Sequence, residues 1–135
     1  MSDTTPSVAL HRGLWAAQIF LGLAFFAAGS WKTTTPLPDL EKALPWVATS
    51  PSALVRFIGI SELLGGIGLI LPSALRILPR LTPLAGALLA LVMVLAAGFH
   101  ASRGEFGGLP VNAFLGGVAL FIAWGRTVPA PISPK

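Results

Sequence analysis

The sequence predicts an all-α protein, a bundle of four transmembrane helices folded as one domain over residues 1–135. Three observations carry that expectation. Of 135 residues, 54% are hydrophobic and only 10% are charged, against about 25% charged in a typical soluble domain. The apolar residues fall into four runs long enough, or nearly so, to cross a hydrocarbon core of roughly 30 Å at about 1.5 Å per residue. Prolines and basic residues stand between the runs, and the length leaves room for a single packed unit.

The first span covers about 14–32. Leu14 to Trp31 contains one amide, Gln18, and no charge. A cleaved signal peptide is the rival reading, with His11 and Arg12 as basic region and Ala27-Ala28-Gly29 as cleavage site; three further spans and the amide argue against it. Residues 33–51 hold Pro36, Pro38, Pro45 and Pro51 and read as a loop with a short interfacial helix from Asp39 to Ala43. The second span, 52–71, starts after Pro51 and is expected to stop at Pro72. The third, 82–100, has Pro83 in its first turn and closes at His100. The fourth, 110–125, is short, so Trp124 and Arg126 are expected to anchor it at the interface.

Four crossings put both termini on one side, with Arg12, Arg76, Arg80, Arg126 and Lys135. The other side has Lys42 and Arg103, with Lys32 and Arg56 at or inside helix ends. This excess predicts cytoplasmic termini. A net charge of +4 does not point to nucleic acid, because the basic residues mark helix ends and form no stripe with interleaved aromatics. The chain has no cysteine, which removes disulfides, thiolate metal sites and thiol redox relays. His11 and His100 lack ligand spacing, so no metal site is expected. No nucleophile–base pair, phosphate loop or paired carboxylate supports a hydrolase or ATPase.

Glu62 is the most informative residue. It lies near the middle of the second span, where an ionised group costs on the order of 3 kcal/mol unless paired, hydrated or protonated. Lys32, Arg56, His100 and Asn112 fall in the same half of the bundle or just above it. Together they outline a polar pocket, with Glu62 and His100 as candidate catalytic groups and Lys32, Arg56 and Asn112 as ligand-binding groups. Arg56 and Glu62 are six residues apart, about 240° around and about 9 Å along a helix, so they do not pair. Lys32 or His100 is the expected partner of Glu62. The alternative is that these residues only tie helices together or snorkel to headgroups, and Asn112 has the further option of capping free backbone groups. Gly59, Gly65, Gly66 and Gly68, with Gly116 and Gly117, read as close-packing positions, although Gly65, Gly66 and Gly68 beside Glu62 could also leave volume for a ligand. Gln18 is expected to bond a neighbouring helix.

Ala28-Gly29-Ser30-Trp31-Lys32, the stretch Val55-Arg56-Phe57-Ile58-Gly59-Ile60-Ser61-Glu62-Leu63-Leu64-Gly65-Gly66-Ile67-Gly68-Leu69-Ile70-Leu71-Pro72, then Phe99-His100 and Pro110-Val111-Asn112 together resemble the DoxX-like family of small four-helix membrane proteins. The resemblance covers nearly the whole chain, and the glutamate–glycine stretch is its most specific part. It implies a bacterial inner-membrane protein related to DoxD, a subunit of thiosulfate:quinone oxidoreductase, and to DoxX proteins linked to membrane oxidoreductases. Lys32, Glu62, His100 and Asn112 match the family's polar positions. Without cysteine, any thiol-dependent sulfur step is excluded.

The first functional expectation is therefore a quinone-interacting or accessory subunit of a membrane oxidoreductase complex, with quinone as cofactor and a redox protein as partner. It requires a ring-sized pocket in the outer half. The alternative is a non-catalytic assembly protein, which requires a filled bundle and a fully paired Glu62. A third, a proton-conducting or carrier bundle, requires polar residues continuing past Glu62, and only Gln18 is available. The glycine faces also allow a homodimer.

Overall fold

The computed structural model describes residues 5–135, and among these there is no strand. The order is α1 (Val8–Thr34), α2 (Leu37–Ala43), a 3-10 helix (Pro45–Thr49), α3 (Ser52–Leu75), α4 (Leu81–Ser102) and α5 (Leu109–Thr127). Four of them, α1, α3, α4 and α5, are long and apolar enough to cross a membrane. Running alternately up and down, they leave the described ends of the chain on one side, here the termini side. The helix at 39–43 is present, lengthened to Leu37–Ala43.

Two boundaries differ from expectation for physical reasons. α1 begins at Val8, because Ser7 caps it: its hydroxyl oxygen accepts the Leu10 N–H at 3.0 Å, satisfying a donor that lacks an intrahelical partner. Pro72 does not end α3, which continues to Leu75. A proline deprives the carbonyl four residues earlier of its donor. Here that carbonyl, Gly68 O, accepts the Thr82 hydroxyl from α4 at 3.1 Å. Since the Thr82 hydrogen is committed there, Ser73 donates to Thr82 Oγ1 across 2.7 Å. The helix stops one turn later, at Arg76, whose backbone is left-handed (φ 57°).

Lipid tails are as apolar as leucine, so the spans gain little from hiding apolar surface from each other, and association depends on close packing. The closest packing joins α1 to α3 and α4 to α5; the α3–α4 and α1–α5 contacts that close the bundle are less extensive. Gly22 and Gly29 of α1 face Gly66 and Gly59 of α3. A Cβ on Gly66 would lie 2.6 Å from both the Gly22 carbonyl oxygen and the Phe26 nitrogen. Gly65 and Gly68 face Leu89 and Ala85 of α4, so these glycines serve packing instead of leaving ligand volume. Leu21, Phe25, Leu69, Leu89, Met93 and Ile122 fill the centre. Leu40 and Val47 bury against Val55, which seats α2 and the 3-10 helix on α3. Phe20, Leu64, Leu91, Val94 and Phe114 point outward and more than half exposed, an arrangement suited to hydrocarbon.

Gly66→Ala is expected to destabilise the bundle by about 1–3 kcal/mol, because backbone must move to admit one methyl. Gly117→Ala, with open space around its Cβ position, is expected to stabilise by up to about 1 kcal/mol through helix propensity. Thermal melts of both variants in detergent test the contrast; equal effects would show that α1–α3 contact is not set by glycine.

Candidate functional site

The site begins where α1 and α3 are held closest. One turn from the Gly29–Gly59 contact, Lys32 Nζ meets Glu62 Oε2 at 2.7 Å, with the two side chains 13% and 6% exposed. Of the two partners expected for Glu62, the structure selects Lys32. A buried ion pair is costly to form, and removing either member leaves an uncompensated charge.

Arg56 bonds neither of them through its charge. Its Nη1 donates to the carbonyls of Lys32 and Thr35, each at 2.8 Å, and so caps the C-terminal end of α1, where carbonyls lack intrahelical donors. Arg56 positions the backbone of Lys32 and does not line the cavity described next.

Between α3 and α4, below the 3-10 helix, lies a cavity of about 380 Å³. Its walls are apolar, with Trp46, Phe57, Met93 and Phe99 among them, and Lys32, Glu62, His100 and Asn112 supply polarity. Leu54, Phe57 and Leu95 belong both to this lining and to the outward-facing surface, so the cavity's rim meets the bilayer. Asn112, in the first turn of α5, does not cap its helix, and its Nδ2 is buried with no partner among the described residues.

His100 joins the cavity to the loop above it. Its Nδ1 lies 2.7 Å from Glu105 Oε2; an ionised carboxylate only accepts, so Nδ1 carries the proton. The bond from His100, assisted by Arg103, holds the half-buried Glu105 carboxyl below the usual carboxylate range. Arg103 also donates through Nε to Glu105 Oε1 at 2.8 Å and through Nη1 to Thr49 Oγ1 at 2.7 Å, tying the α4–α5 loop to the 3-10 helix. Its guanidinium lies 5.0 Å from the Phe99 ring centroid, and Phe99 meets Trp46 edge-on at 6.2 Å. Sequence reasoning gives Arg103 only a place on this side of the membrane and Glu105 no role; the five-residue separation of His100 and Glu105 across a helix end is the available signal.

A second polar cluster lies toward the termini side. Gln18 donates through Nε2 to the Leu69 carbonyl at 2.7 Å and accepts from Arg126 Nε at 2.6 Å. Arg126, expected at the lipid interface, is instead 3% exposed, because Gln18, His11 and the Ala130 carbonyl give its guanidinium polar partners inside the protein. Leu21, Phe25, Leu69 and Leu89 separate this cluster from the cavity. Among the described residues, no three His, Asp or Glu side chains are grouped to hold a metal ion.

The model of the DoxX-like family matches residues 16–123, a stretch containing Lys32, Arg56, Glu62, His100 and Asn112. No curated protein and no solved structure matches the chain.

Glu62→Leu or Lys32→Met alone is expected to destabilise the protein by about 3 kcal/mol, whereas the double variant Lys32→Met/Glu62→Leu recovers most of it. Melting of the four proteins measures the coupling; additive losses would mean that the pair does not act as a unit. Glu105 has a lowered pKa when folded, so its contribution is present above the unfolded carboxyl value, about 4.3, and is lost as pH falls through the lower folded value. The protection of residues 103–109 against hydrogen exchange, taken relative to the intrinsic rate at each pH, should therefore fall on acidification in the wild type. Glu105→Gln should show low protection at every pH.

Proposed function

The chain belongs to the DoxX-like family, and from that premise we propose that it is a quinone-interacting or accessory subunit of an oxidoreductase complex in the bacterial inner membrane, its termini in the cytoplasm. The observation that carries the reading is the cavity itself: an apolar, partly aromatic space of about 380 Å³, within the size range of small-molecule sites, ending at a buried amide donor without a partner.

A quinone fits that donor set, since its two carbonyl oxygens accept hydrogen bonds and its ring and tail are apolar. Bound there, it would supply a couple of two electrons and two protons, the electrons coming from a redox partner protein. Asn112 Nδ2 offers a hydrogen bond to a carbonyl oxygen. Lys32 offers a second donor and positive charge, oriented by Glu62, while Arg56 fixes the end of α1 that carries it. His100 has committed Nδ1 to Glu105, which leaves Nε2 as the imidazole nitrogen that can take up or release a proton at the cavity. Trp46, Phe57 and Phe99 give flat walls, and the rim at Leu54 and Leu95 lets an apolar tail leave into lipid.

A non-catalytic assembly role is the second reading, favoured by the completed Lys32–Glu62 pair and disfavoured by unfilled volume beside it. Gly13, Gly98 and Gly117, helical glycines that meet nothing among the described residues, are small-residue positions open to a second copy. A continuous proton path has little support, given the apolar layer between the two polar clusters.

The test is thermal stabilisation of the detergent-purified protein by a short-tailed quinone analogue, since a ligand that binds the folded state raises its stability. Wild type should be stabilised. Glu62→Gln and Asn112→Leu, each compared with its own unliganded melt, should need about tenfold more ligand for the same shift, the equivalent of about one hydrogen bond. Absence of any shift with wild type would refute the quinone reading and favour assembly.

A further inference from the structure

At the termini end of the bundle, Arg126 carries a charge for which the described residues provide no counter-ion. Its Nε donates to Gln18 Oε1 and its Nη1 to the Ala130 carbonyl and to His11 Nδ1, at 2.6, 3.0 and 3.1 Å. The Trp15 ring lies 5.5 Å from Cζ. All four partners are neutral, and Nη2 is buried with no acceptor among the described residues. The described side-chain carboxylates lie elsewhere: Asp39 and Glu41 in α2, Glu105 in the α4–α5 loop, Glu62 on Lys32.

A guanidinium only donates, so His11 Nδ1 accepts and the imidazole proton sits on Nε2. His11 is thereby fixed as a donor without needing to be charged. It lines a groove of about 390 Å³ together with Trp15, Ser73, Arg76 and the C-terminal tail at Pro131 and Ser133. Arg76 is held at this groove from both ends. Its backbone is left-handed, an uncommon state for a non-glycine residue, its carbonyl accepts the Lys135 N–H at 3.0 Å, and its Nε donates to the Ser133 carbonyl at 2.8 Å.

We propose that this groove binds an anionic phosphate group, presented by a lipid headgroup or free in solution, with Arg76 and His11 in contact and Arg126 supplying charge from beneath. The level suits it, since the ends of the spans are where headgroups lie, and basic pockets between helices suit their phosphates. An anion there also supplies a counter-charge for Arg126, which the described residues solvate with dipoles alone.

Full-length protein in a neutral detergent is melted with short-chain phosphatidylglycerol, short-chain phosphatidylcholine or inorganic phosphate. The variants are Arg76→Gln, exposed and able to fold, and Lys42→Gln, which makes the same charge change at an exposed residue on the opposite side. Phosphatidylglycerol or phosphate should stabilise wild type at about tenfold lower concentration than phosphatidylcholine. Arg76→Gln should abolish that preference and Lys42→Gln preserve it. Activity of the lipid alone identifies a headgroup as the source; activity of phosphate identifies the free anion as sufficient. Equal stabilisation by both lipids with none by phosphate, no stabilisation at all, or equal loss in the two variants would overturn the proposal.

Discussion

The Lys32–Glu62 pair depends on how closely the α1 and α3 backbones approach, and so does much else in the bundle. Hydrocarbon provides no strong force to drive apolar helices together, so the approach rests on glycine meeting glycine: Gly29 against Gly59 and Gly22 against Gly66. That contact brings an ammonium on one helix to 2.7 Å from a carboxylate on the other. It also brings the end of α1 within reach of Arg56, which closes the free carbonyls at Lys32 and Thr35. One steric fact thus sets the packing, the helix cap and the ion pair.

The same asymmetry explains why the cavity lies between α3 and α4. With α1 locked to α3 and α4 to α5, the bundle is two tight pairs joined along less extensive contacts. On the termini side that join is filled by Leu89 against Gly65 and Ala85 against Gly68, and by the Ser73–Thr82 hydrogen bond. Toward the other side the corresponding residues are Phe57, Ser61, Ala96 and Phe99, and their side chains leave space. The α4–α5 loop then closes over it through Arg103, Thr49 and Trp46.

How much of this was legible in the sequence depended on range. The spans were legible because hydropathy over about 18 residues is a local sum, and Glu62 was legible because an ionisable group there is costly wherever its partner lies. Pro72 was misjudged because a proline ends a helix only if the carbonyl it orphans stays orphaned, and the donor for Gly68 is Thr82, on the next helix. Arg126 was misjudged for the same reason: a basic residue at a span's end normally snorkels, unless a residue such as Gln18, 108 positions away, offers it an acceptor. For Arg56 the geometry correctly separated it from Glu62, but backbone carbonyls carry no sequence signal, so its capping role stayed hidden.

Burial in lipid forces polar groups to find partners within the protein, and nearly all of those described do. The two buried side-chain atoms left without one are Asn112 Nδ2 and Arg126 Nη2. An unpaired buried donor costs about 1–3 kcal/mol, so neither is explained by stability, and no structural reason requires an asparagine at a position where it caps nothing. The two atoms lie in different polar clusters, one lining the cavity and one beneath the basic groove, with an apolar layer between them. Each cluster is therefore short of an acceptor, which is the condition expected of a surface that meets an oxygen-bearing ligand. Because leucine and phenylalanine divide them, the two clusters stand apart at opposite ends of one bundle.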